Sequence, residues 1–254
     1  MKENKLYPGE AVEEVDGRIQ VSGQISVMAI NGLLAKVIFE KNPNCEFYVE
    51  ESFPLDWMYP YLEPHHLIMK INRQPLAELS GEMIQRDRDY WKTLVVPMVG
   101  DWLNEETSVK AVAAFAENVL LRHDFGDFNG DRRFVENEYS RKTYSKERSA
   151  IGGLFAWRLG ISPQGREVPT QYLPHGEMER LRMIKAADFA YRQSWALCPS
   201  SPEAVYRYVA FLANQNRFED AILVTDTALK FPLDPQTKTQ FQNLSNRLHQ
   251  SQKE

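Results

Sequence analysis

Cysteine is scarce in this chain: Cys45 and Cys198 are the only two among 254 residues. Two cysteines so far apart exclude a disulfide framework and read as separate thiols. Long apolar runs are missing as well. The longest, Leu94–Val99, contains Pro97 and falls far short of the ~20 apolar residues that a membrane-spanning helix needs. The opening MKENKLYPGEAVEE has no apolar centre, so it is not expected to be a signal peptide, and the polypeptide as written is expected to be soluble. Positive charge is not in excess. The formal net charge is −5 and the pI near 5.7, which gives no electrostatic case for nucleic acid or an anionic membrane. No glycine-rich nucleotide loop and no Ser/His/Asp triad can be assembled at a recognisable spacing.

What is present supports a folded, largely helical protein. Hydrophobic residues make up 43% of the chain, with 13 Phe, 11 Tyr and 5 Trp, a composition that folds rather than stays disordered. The most basic stretch, Arg132–Arg158, has Glu136, Glu138 and Glu147 mixed in and reads as a solvated helical face.

Near the N-terminus, Arg18–Val21 reads as a short strand. Ser26–Lys41 follows as an amphipathic helix in which Val27, Ile30, Leu34, Val37 and Ile38 share one face. Asn42-Pro43-Asn44 ends it. Glu46–Glu51 and Leu67–Ile71 read as strands, and the order strand–helix–strand suggests a small βαβ-type unit with the helix packed on its sheet. From Ser80 the pattern is helical, with a break or bend expected at Pro97 and helix caps at Ser80 and Thr107 or Ser108. The Gly152-Gly153 pair weakens the helix read over Ser145–Arg158.

The clearest internal signal is an echo at a spacing of 34 residues. Ala187, Tyr191, Ser194 and Leu197 recur as Ala221, Thr225, Ala228 and Phe231, and Pro199 as Pro232 or Pro235. That period belongs to tetratricopeptide helix pairs. Residues 202–233 fill one unit. The unit before it has a good second helix, but Pro169, Pro174 and Gly176 forbid a first helix at 168–180. With the last helix as a cap, this makes about one and a half repeats where about three are needed for stability, so the bundle must lean on the rest of the chain or on another chain. The fold class expected is therefore mainly α with a small N-terminal α/β unit and a partial tetratricopeptide-like bundle. Its boundaries are 1–158 for the first domain, 159–176 for a linker and 177–254 for the bundle.

Several constellations invite a chemical reading. Asp127, Asn129, Asp131 and Glu138 match a calcium loop, but Arg132 stands where that loop needs glycine. Asp124-Phe125-Gly126 copies a kinase triplet without its companions. Asp87-Arg88-Asp89 copies a metal-binding D-x-D but falls within a helix, where it reads as a charged face. His65 and His66 are adjacent and cannot both face one site. The best candidate ligand surface combines Glu50, Glu51 and Asp56 with Trp57, Tyr59 and Tyr61, because carboxylates beside aromatic platforms suit sugar binding or acid–base work. In the repeat, Tyr206 and Asn214, with Ala210 and Ala213, would line a peptide groove. No catalytic residue, metal ligand or cofactor is assigned.

Longer phrases carry a family resemblance. The stretch EFYVEESFPLDWMYPYLEPHHLIMKINRQP is preceded by QVSGQISVMAINGLLAKVIFEKN and followed by QRDRDYW, VGDWL, FAENVLLR and SAIGGLFAWR. Together they resemble, over about residues 6–232, the soluble C-terminal region of bacterial multi-pass membrane proteins that are protein O-mannosyltransferase-like. The resemblance implies an accessory region of a glycosyltransferase-like protein, or a separated fragment of one, that positions an acceptor or a partner such as the membrane-embedded transferase domain. In such transferases the donor is a lipid-linked sugar and the catalytic acid lies in the membrane domain, so no catalytic residue carries over to this chain. The implied location is extracytoplasmic, on the periplasmic side. The alternative reading is a free-standing tetratricopeptide adaptor for peptides or proteins, which would be cytoplasmic.

Overall fold

The structure, a computed structural model, describes residues 11–50, 55–162 and 165–252. It begins with a hairpin in which β1 (Ala11–Val15) pairs antiparallel with β2 (Arg18–Ser22). The turn between them is Asp16-Gly17, both with positive φ (53° and 74°), as a tight two-residue hairpin requires. Helix α1 (Gln24–Lys41) follows. A second sheet holds β3 (Phe47–Val49), β4 (Leu62–His65) and β5 (Ile68–Ile71), all antiparallel in the order β3-β5-β4. The expected βαβ unit is therefore not formed. The Asp-Gly turn supplies β2 with a local partner, and β3 pairs with β5 instead. His65 ends β4, and His66 occupies the turn to β5 with φ 62°.

The remainder is helical: α2 (Gly81–Val99), α3 (Val109–Phe115), α4 (Arg132–Glu136), α5 (Glu138–Trp157), α6 (Glu177–Leu197), α7 (Pro202–Asn214), α8 (Phe218–Ala228) and α9 (Pro235–Ser251). Ser80 caps α2, its Oγ accepting from the Met83 N–H at 3.2 Å, and Ser108 caps α3 in the same way at 3.1 Å. Pro97 lies in the last turn of α2 without ending it. The carbonyls of Pro97 and Met98 instead accept from the Asp131 N–H, at 3.0 and 3.2 Å. After Phe115 the helix widens into a π-helical turn over Ala116–Leu121.

Helices α5 to α9 pack consecutively into a bundle, and α3 lies against both α6 and α8. The helix missing from the incomplete repeat is supplied by α5, which runs along α6 after the chain has passed through 158–176. Gly152 explains the closeness of that contact: a Cβ there would sit 2.8 Å from the Tyr191 ring. Gly152 thus lets α6 approach and Gly153 makes room for Arg207 of α7, 2.7 Å from where its Cβ would sit, and α5 is continuous through both. The echo is visible in the packing. Ala187 and Ala221 are both fully buried, as are Ser194 and Ala228, at equivalent places on α6 and α8. The buried apolar side chains form one connected core from Phe39 to Leu248.

The basic stretch is a solvated face only in its first half, where Arg132, Arg133, Glu136, Glu138 and Lys142 are exposed; its second half turns inward. Arg148 and Arg158 are both buried. Arg148 Nη1 meets Asp87 Oδ2 at 2.8 Å, Arg148 Nε donates to Gln193 Oε1 at 2.8 Å, and the guanidinium lies over the Trp91 ring. Asp87 is therefore also not part of an exposed charged face. Burial of that depth raises its affinity for a proton, and Arg148 opposes the rise. Arg158 donates to the carbonyls of Leu76 and Ala77 at 2.9 and 3.2 Å, and its burial draws its pKa down to about 10. These cations pin α5 to α2 and to the loop after β5. Among the described residues, no helix is long and apolar enough to cross a membrane.

Candidate functional site

The aromatic run after β3 is sorted by the 3₁₀ turn Tyr59–Tyr61. Tyr59 points inward, 1% exposed and stacked on Trp157 at 5.2 Å, so it is core rather than ligand surface. Trp57 and Tyr61 turn the other way, towards α1. Their rings lie 5.5 and 5.8 Å from Phe39, the one large side chain that α1 buries among its described residues. Trp57 Nε1 donates to the Gly32 carbonyl at 3.0 Å. Gly32 lets that segment close in, since a Cβ there would already touch Leu55 at 3.4 Å.

These three rings line an open pocket of about 370 Å³ whose rim is Lys36, Glu40, Pro43, Arg73 and Gln74. Lys36 and Glu40 face each other one helical turn apart at 3.9 Å. Arg73 fixes the far wall. Its guanidinium donates to the carbonyls of Phe39 (2.7 Å), Asn42 and Cys45, and lies over the Phe39 and Phe47 rings at 4.4 and 5.0 Å. Arg73 thus ties the last turn of α1 to the turn that follows it and holds the pocket's shape. An apolar floor with a few polar groups at the rim is what a binding pocket for a ring or a protruding side chain requires.

Of the residues read from sequence as candidate ligands, Trp57 and Tyr61 come together here. Asp56 is tied to Arg166 in an ion pair, and Glu51 lies outside the described residues. Lys36, Phe39, Glu40 and Arg73 were missed. Phe39 lies off the Val27–Ile38 stripe that the periodicity singles out, and Arg73 gave no signal beyond its place in the quoted INRQP. In the repeat, Tyr206 packs edge-on against Phe241 of α9 at 5.6 Å, while Asn214 is exposed at the end of α7 and accepts from Gln215 Nε2 at 3.0 Å.

The other constellations are spent on structure. Asn129 Nδ2 donates to Asp101 at 2.8 Å, Asp131 caps α4, and Glu138 pairs with Lys142 at 2.6 Å. Among the described residues, no group of three His, Cys, Asp or Glu is arranged to hold a metal ion. Against expectation, His65 and His66 do face one pocket, because the positive φ of His66 turns its ring back: the two rings lie 4.5 Å apart, and His66 lies 4.6 Å from Tyr90. Burial first, and the neighbouring His66 second, hold His65 below the usual histidine range. Cys45 is exposed and Cys198 buried, both as free thiols. No protein-family model matches the chain, and no curated protein or solved structure shows significant similarity to it.

Proposed function

We propose that this chain is a non-catalytic accessory domain that holds an acceptor protein or subunit for a glycosyltransferase-like membrane protein. The observation that carries the binding role is the preformed pocket between Phe39, Trp57 and Tyr61, braced by Arg73 and rimmed by Lys36 and Glu40. It offers an apolar floor and both signs of charge at its edge, which suits a protruding aromatic or apolar side chain, or a sugar ring on an acceptor. The link to a transferase is an implication of the family resemblance. The adaptor alternative would bind through Tyr206 and Asn214, but α9 already occupies the Tyr206 ring.

The test is direct. Peptide and glycan arrays are probed with the purified chain and with Trp57→Ala and Arg73→Ala. Binding that is retained by Tyr206→Ala and lost in both pocket variants supports the proposal. Binding lost only with Tyr206→Ala favours the adaptor. For the transferase link, deleting this domain from a full-length relative should impair acceptor transfer and leave donor binding intact.

A further inference from the structure

Helix α1 is apolar on two faces, and the fold uses one of them. Gly32, Ala35 and Phe39 face inward against the Trp57 segment. The stripe read from the sequence faces outward: Leu33 is 63% exposed, Leu34 57%, Ile38 55%, Val37 48% and Val27 40%. With the half-buried Ile30 these side chains form one continuous strip along the helix. A strip on the order of 500 Å² is as large as the largest patch on a typical monomer, and such patches mark binding surfaces.

We propose that this face pairs with the same face of a second copy of this chain, as an antiparallel two-helix seam about a two-fold axis. Three observations select that occupant. First, Val27, Ile30, Leu34, Val37 and Lys41 are spaced 3, 4, 3 and 4 residues apart, the alternation that seats one helix on another, and Leu33 and Ile38 widen the seam on its two sides. Second, apart from Lys41 at its C-terminal end, the face asks nothing of a partner except apolar surface. The charges on its flank, Lys36 and Glu40, already face each other, so the surface complements itself, as an isologous interface must. Two strips together bury on the order of 1,000 Å², the lower limit for a specific interface, so the pair expected is a weak, concentration-dependent one. Third, a lipid surface is disfavoured by charge. The hairpin beside α1 exposes Glu13, Glu14 and Asp16, and the chain carries a net −5, whereas interfacial helices gain from anionic lipid through a lysine- and arginine-rich polar face.

An antiparallel register that sets Leu34 against Val37 and Leu33 against Ile38 covers the four most exposed side chains. Antiparallel axes also oppose the helix dipoles favourably. The pocket around Trp57 opens beside the seam, so a pair would carry two such pockets.

Sedimentation velocity over a concentration series tests this on the whole chain in a Cys45→Ser background. The wild type should show a concentration-dependent monomer–dimer equilibrium. Leu34→Glu should weaken it by about 100-fold, a carboxylate in an apolar seam being costly, with unchanged circular dichroism and, at concentrations where both proteins are monomeric, an unchanged thermal midpoint. Mixing Leu34→Glu with Val37→Lys should restore a dimer of one copy of each, which only the proposed register explains. A wild type that stays monomeric at its highest soluble concentration overturns the proposal, as does a dimer indifferent to Leu34→Glu. Flotation with phosphatidylcholine–phosphatidylglycerol vesicles that is lost in Leu34→Glu would instead assign the face to lipid. Array binding through Trp57 can persist in a strictly monomeric protein, so failure here is distinguishable from failure of the pocket reading.

Discussion

Helices α1 and α5 are close in length, 18 and 20 residues, and opposite in composition. Helix α1 carries few charges, yet among its described residues it buries little beyond Gly32 and Phe39. Helix α5 is rich in Glu, Lys and Arg, yet it buries 12 residues, among them Glu147 and Arg148. Burial here follows position among neighbours and not average polarity. Helix α5 is enclosed by α2, α6, α7 and the three-stranded sheet, and its charges are tolerated because Asp87, Gln193 and backbone carbonyls meet them. Helix α1 lies at the edge with a single supporting face.

The sharpest way to break this contrast is at the buried ion pair. Arg148→Ala leaves Asp87 in the core without its cation, and should cost about 3–5 kcal/mol in urea unfolding. Asp87→Leu combined with Arg148→Met should regain most of that loss. If Arg148→Ala is nearly neutral, α5 is not enclosed as described. Next comes Gly152→Val, whose added carbons would meet the Tyr191 ring. Forcing α5 and α6 apart should cost about 1–3 kcal/mol by the same measurement.

A smaller effect is expected from pH. Burial, and then the hydrogen bond and like charge of Glu50, push the Glu147 carboxyl up from the ordinary 4.5 to about 7, with Lys146 opposing. A raised carboxyl pKa means that the folded state holds the proton more tightly than the unfolded chain does. The stability contributed by this group is therefore full below about 4.5 and is lost as pH rises through about 7. Glu147→Gln should flatten that decline and raise stability at pH 8 by about 1–2 kcal/mol, read from thermal midpoints between pH 5 and 8. The smallest effect belongs to α1. Leu34→Glu should change the stability of the monomer by no more than about 0.5 kcal/mol. A loss as large as that of Arg148→Ala would show that the outward strip is an interior surface, and the contrast between the two helices would collapse.

The sequence made the extent of α1 readable to within two residues, but not its orientation. Periodicity locates an apolar stripe without saying whether the stripe faces in or out, and a helix with a second, weaker apolar face can be supported by that one. The hairpin's first strand, β1, was missed because AVEEV alternates poorly, although Asp16-Gly17 marked the turn. Strand β4 was missed because Leu62-Glu63-Pro64-His65 places a proline in an edge strand, where its missing donor costs little. In the bundle, the buried register of α6 and α8 was legible as the 34-residue echo. The identity of α6's companion was not, since a repeat places that helix immediately upstream, where Pro169, Pro174 and Gly176 stand, and the fold takes it from before residue 158. Of the pocket, Trp57 and Tyr61 were legible as an aromatic cluster beside a chain reversal. Phe39 and Arg73 come from distant segments that only the closed fold brings to the same wall.

The placement of α5 has one further consequence. The segment 158–176 ties together two helices that already grip each other along their length, with Tyr191 of α6 seated over Gly152 and the hydroxyls of Ser145 and Ser194 within 3.2 Å. A protease that nicks this tether would produce two polypeptides but not two particles. The severed pieces should travel together through a gel-filtration column and part only in denaturant, as though the covalent bond there had been a convenience of synthesis.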